Sequence, residues 1–161
     1  MSKMSTTYLC QMFVLTIGLS FSAPALSISL IVQDPCSGSL WLESDSEAIH
    51  GTSVGAITIA QLEDFALPYN GSEQGIGSIN ATVTGNDSLE VISQSEMRSY
   101  GWCFKLNGVE PNLYPHQVFV QNEHDSIYWF FGFAHYKDGG WISFCTPTHK
   151  SKPSFICTLP K

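Results

Sequence analysis

Beginning at residue 127 the chain reads Ile-Tyr-Trp-Phe-Phe-Gly-Phe, and beyond Lys137-Asp138-Gly139-Gly140 it returns as Trp-Ile-Ser-Phe-Cys. Two aromatic, β-branched runs separated by an Asp-Gly-Gly turn make a β-hairpin. Side chains alternate along a strand, so Ile127, Trp129, Phe131 and Phe133 share one face, and Tyr128 and Phe130 share the other. Four large apolar groups on one face require a core beneath them. The sheet holding this hairpin must therefore be covered on at least one side. Two arrangements fit its other side: burial under loops and tail, or an exposed aromatic platform for sugars, apolar ligands or proteins. The dominance of aromatics in protein cores favours the first.

The remaining strands are short and punctuated by turn residues. Residues 26–33 (LSISLIVQ) carry the apolar, β-branched pattern of a strand, and Asp34-Pro35-Cys36-Ser37-Gly38 turns the chain. Residues 39–43 give a second short strand, 44–47 are polar, and Gly51 is a break. A single helix is expected at 58–67. Ile59, Leu62, Phe65 and Ala66 paint one face, Thr58 with Gln61 can form a capping box, and Pro68 stops the helix. From Gly75 the pattern is β again: Ile76, Ile79 and Val83 among small residues, then 89–92, 102–106, 118–120 and the aromatic hairpin. Asn107-Gly108 is the strongest short turn signal. Six to eight strands and one helix make an α+β chain, with the helix packed on one face of a mixed sheet.

The first residues set the compartment. Lys3, the apolar run Tyr8–Phe21 and Ala23-Pro24-Ala25 have the three-part pattern of a secretory signal peptide over residues 1–25. The run is shorter than the ~20 residues of a membrane-spanning helix, so no span is expected once the leader is removed. The domain then covers 26–145, and 146–161 is an extended tail. The whole chain carries 7 basic and 14 acidic residues, a net charge of −7. Losing Lys3 with the leader leaves −8. Scattered acidic charge argues against nucleic acid and anionic membranes as partners. Cys36, Cys103, Cys145 and Cys157 follow the leader. An even number in a short exported chain reads as two disulfides, with three pairings open. Asn70-Gly71-Ser72, Asn80-Ala81-Thr82 and Asn86-Asp87-Ser88 are candidate glycosylation sites in a secreted glycoprotein, and only polar loops in a periplasmic one.

Ser99-Tyr100-Gly101-Trp102-Cys103-Phe104-Lys105-Leu106-Asn107-Gly108-Val109-Glu110-Pro111-Asn112 resembles the G-W-x-Y-x-V-N-G-x-x-P element of the transcobalamin C-terminal-like domain family. The helix region 58–67 is similar to that family's T-V-x-x-A-L helix, and residues 123–132 to its late G-D-x-V-x-W-x-Y strand. His124 stands where a glycine is usual, Cys103 interrupts the first strand, and Ala60-Gln61-Leu62 departs from the helix pattern. The resemblance spans residues 49–133. It implies a β-grasp-like domain, mostly of unknown role across the family, and no catalytic set. It gives no support for cobalamin, because the helical barrel that holds that ligand in the carriers is absent.

The residues point away from enzyme chemistry. His50, His116, His124, His135 and His149 show no metal-ligand spacing, and neighbouring residues in Glu123-His124-Asp125 point apart on an extended chain. A cysteine nucleophile would need a reduced thiol, which export opposes. Nucleophile-elbow, zincin and phosphate-loop motifs are missing from the sequence. No catalytic residue, metal or cofactor is expected. The expectation is an exported, non-enzymatic binding module for a protein, glycan or small apolar ligand. Its contact candidates are Trp102, Tyr128, Phe130, Tyr136 and Trp141. The alternatives are a structural or surface-associated protein and a small secreted hydrolase.

Overall fold

A computed structural model describes residues 25–148 and 156–157. His149, most of the expected tail and all of the expected signal peptide but Ala25 lie outside these residues. The chain forms β1 (Ala25–Gln33), β2 (Leu40–Ile49), α1 (Val54–Asp64), β3 (Tyr69–Ser72), β4 (Gly75–Ile79), β5 (Leu89–Ser93), β6 (Glu96–Leu106), β7 (Ser126–Lys137) and β8 (Gly140–Pro147). It is an α+β fold with a mostly sheet core and one helix. The main sheet runs β2-β1-β7-β6-β5, and a small β3–β4 hairpin stands apart. β1 and β7 are parallel; the other pairs are antiparallel. β7 is long enough to serve two partners on one side, β1 along Ser126–Trp129 and β8 from Gly132 to Lys137.

Alternation decides which face each strand buries. Leu26, Ile28, Leu30 and Val32 of β1 meet Ile127 and Trp129 of β7 and Phe104 of β6 in one cluster, closed by Val54, Ile57 and Leu62 of α1. The polar stretch 44–47, left outside the expected strand 39–43, continues β2, because Ser44 and Ala48 fall on the buried side while Glu43, Asp45 and Glu47 face water. A second cluster, Tyr100, Phe131 and Phe133, lies farther along the sheet, with Val83, Trp102 and Ile156 packed on it.

The helix starts one turn earlier than its sequence signals suggest. Ser53, not Thr58, is the N-cap, and its hydroxyl accepts from the Ala56 amide at 3.1 Å. Thr58 is fully buried inside the helix, donating to the Val54 carbonyl at 2.7 Å and accepting from Trp129 Nε1 at 2.9 Å. The buried face is therefore Val54, Ile57, Thr58, Gln61 and Leu62, and Phe65 lies exposed. At the other end Ala66 adopts φ 51° and ends the helix before Pro68 can. Gly55 is obligatory, since any Cβ there would collide with the Glu73 carbonyl in the β3–β4 turn.

Candidate functional site

The long β6–β7 connection places the site. Asn107-Gly108 makes its expected turn, and Leu106 and Val109 exchange backbone hydrogen bonds of 2.9 and 3.0 Å. The chain does not enter β7 there. It passes through Pro111–Pro115, a short 3-10 turn at Pro115–Gln117 and a segment docked on the helix start, where Val54 donates to Val118 at 2.8 Å and Gly51 to Val120 at 2.9 Å. The buried Asp125 closes the excursion. Its carboxylate accepts from Asn107 Nδ2 (2.8 Å) and from the backbone amides of Gln121 (2.8 Å) and Asn122 (3.1 Å). Burial pushes the Asp125 pKa up, but these donors outweigh burial and hold it below the ordinary carboxylate value. The Glu123-His124-Asp125 stretch is thus a turn with a structural carboxylate, and His124 takes φ 67° within it.

The detour leaves a groove of about 300 Å³ beside β6. Its floor is the strand itself at Trp102, Cys103 and Phe104, with Trp129 behind. Gln74 of the β3–β4 turn and Gly75 and Ile76 at the start of β4 form one wall, and residues 110–115 form the other. Among the described residues Glu110 is the groove's one charged lining residue. Partial burial pushes its pKa up, against the pull of Lys105.

The Cys103–Cys145 disulfide also lines this groove, with a Cα–Cα distance of 5.9 Å. Cys145 reaches β6 across β7 because the β7–β8 register slips between Phe133 and His135, where Cys145 takes φ 48°. The crossing passes over Gly132, where a Cβ would lie 3.2 Å from Cys145 and Thr146 backbone atoms and 3.3 Å from Cys103 Sγ. The second bridge, Cys36–Cys157, ties the β1–β2 turn to the tail. Two pairs form, as the even count implied.

The five contact candidates do not make one platform. Trp102 is half-buried in the groove floor, with its indole N–H on Thr82 Oγ1 at 2.8 Å and its ring 5.4 Å from that of Phe131 and 5.9 Å from that of Trp41. Phe130 is 1% exposed, stacked on half-buried Tyr128 at 5.7 Å with Lys105 Nζ 5.3 Å above its ring. The second face of β7 is thus covered at Phe130. Tyr136 is half-buried and packs edge-on against Trp141, which is 47% exposed on the outer strand β8. Asn70, Asn80 and Asn86 are all exposed. Sequence reasoning missed the groove's walls, residues 74–76 and 110–115. Pro111 and Pro115, flanking Leu113 and Tyr114, were the available signal for a rigid apolar loop.

His135 lies 2.8 Å from Glu96, whose other oxygen is 3.3 Å from Lys137 Nζ. The hydrogen bond from His135, then that from Lys137, lowers the Glu96 pKa. This cluster shares no residue with the groove. Among the described residues no group of His, Cys, Asp and Glu is arranged to hold a metal, and no helix is long and apolar enough to cross a membrane.

No protein-family model matches the chain, and no curated protein matches it.

Proposed function

We propose that this chain is an exported, non-enzymatic binding module with a β-grasp-like domain of the transcobalamin C-terminal-like kind, and that the groove beside β6 is its binding site. The order of elements supports the domain reading: a hairpin, a helix packed on the sheet, then strands that return so that β7 lies parallel to β1. The two disulfides support export. The observation that carries the binding reading is the groove, which is largely apolar, floored by three consecutive β6 residues and held by a disulfide. The His135–Glu96 pair lies outside it and is engaged by Lys137, which argues against the hydrolase reading.

Gly75 provides the test, because a Cβ there meets open space at the groove wall. Amide chemical-shift mapping against a panel of apolar fragments, oligosaccharides and peptides should place the responding residues along 74–76, 102–104 and 110–115. Gly75→Trp should weaken that binding at least tenfold while leaving the melting temperature nearly unchanged. Responses confined to β8, or indifference to the added indole, would refute the site. A second reading, self-association as a structural protein, draws on Trp141, Ile142 and Phe144, which are exposed together on β8. Concentration-dependent sedimentation that Phe144→Ser abolishes would establish it.

A further inference from the structure

The groove's floor is an unpaired strand edge. The β6–β7 register runs without a slip from Glu96↔Lys137 to Leu106↔Ile127. Asn107 donates to Ser126 on the β7 side at 2.8 Å, whereas Leu106 donates the opposite way, to Val109. Backbone groups in an antiparallel ladder alternate sides. The N–H and C=O of Trp102 and Phe104 therefore point away from β7, as those of Leu106 do. β5 pairs with β6 only as far as Ser99. Among the described residues no backbone partner reaches Trp102 or Phe104. Two donors and two acceptors thus line the groove at the spacing of one extended strand.

We propose that this edge takes an extended peptide segment of a partner protein, added as a strand opposite Trp102 and Phe104, with a basic side chain set against Glu110. The inference rests on the binding-module reading and names its ligand class. Main-chain hydrogen bonds would supply affinity, and the side-chain pockets selectivity. Ile76 and Leu113 flank the path and suit an apolar side chain. Glu110 is the one charged group among the described lining residues, and the net charge of −8 expected once Lys3 leaves with the leader favours basic partners. Two of the other outer strands, β8 and β5, suit this role less well. β8 slips register twice against β7, and β5 slips once against β6, irregularities that blunt an edge against pairing. The β6 edge is regular and walled on both sides.

The test uses isotope-labelled protein, the capped pentapeptide threonine–valine–lysine–valine–threonine, the same peptide N-methylated at alternate residues, and the neutral dye N-phenyl-1-naphthylamine. The peptide should slow amide exchange at Trp102 and Phe104 at least tenfold and leave Cys103 and Lys105, already paired to β7, unchanged. N-methylation should abolish this. Glu110→Gln should weaken the lysine peptide about threefold, as for an exposed ion pair, without affecting a norleucine analogue. Protection along 89–93 or 140–144 instead, or equal binding of the N-methylated peptide, would overturn the proposal. If the dye perturbs the groove and the peptide binds nowhere, the strand-addition proposal fails and the binding module stands. If neither binds, both fail.

Discussion

Asp125 shows how much one side chain organises. Its carboxylate gathers the ends of the loop that walls the groove. Asp125→Ala should reduce unfolding free energy by about 2–3 kcal/mol, because buried donors lose a charged acceptor. The pH dependence follows from its lowered pKa. The stabilisation is fully present above the unfolded aspartate value of about 3.9 and is lost as pH falls through the lower folded value. Urea titrations from pH 2 to 7 should show wild type losing stability through that window and the alanine variant losing less. Gly132 is the second such residue. Gly132→Ala should cost about 1–3 kcal/mol or block the Cys103–Cys145 bridge, since the added methyl crowds the crossing. Thiol titration of the denatured variant separates the two outcomes. Neither role was legible in the sequence. Asp125 stood in a polar run beside His124, and its donors, at Asn107, Gln121 and Asn122, meet it only once the loop closes. Nothing in the aromatic run around Gly132 marks it as the crossing point of a disulfide.

The elements divide by how local their causes are. The strands β1, β7 and β8 followed from alternation and turn residues, and their positions agree with the reading to within about four residues, whereas β6, read as 102–106, begins six residues earlier at Glu96. The helix was found but misplaced by a turn. Its sequence carries two competing hydroxyl caps, and the choice between them is tertiary. Thr58 is drawn inside to satisfy the Trp129 indole, which leaves Ser53 as the cap. Ser53→Ala should then cost about 1 kcal/mol. Thr58→Val, which keeps the shape and removes the acceptor, should cost about 1–3 kcal/mol by leaving the buried indole N–H unpaired. At the helix end, Ala66 pays the left-handed conformational penalty, so Ala66→Gly should stabilise by about 0.5–1 kcal/mol despite glycine's poor helix propensity. Thermal denaturation of the three variants checks all of them. β2 was read too short, because residues 44–47 are polar and the one face they leave buried carries small side chains.

For the whole molecule, the sequence carried the α+β class, the single helix and the number of disulfides, and it left their connectivity and the groove unread. A groove made by a β6 edge, a distant hairpin turn and a looping connection has no contiguous signature. The aromatic hairpin, prominent in the sequence, is core along β7, whereas its returning strand leaves Trp141, Ile142 and Phe144 exposed. The disulfide that reaches the groove closes 42 residues, and replacing Cys103 and Cys145 by alanine should cost about 4 kcal/mol by chain entropy. The account turns on an open strand edge at the groove floor, and amide hydrogen exchange of the free protein reads that edge directly. The expected pattern is alternation: slow exchange at Cys103 and Lys105, bonded to β7, and fast exchange at Trp102 and Phe104. Uniform protection across all four amides would mean that the edge is already paired and that the binding site lies elsewhere.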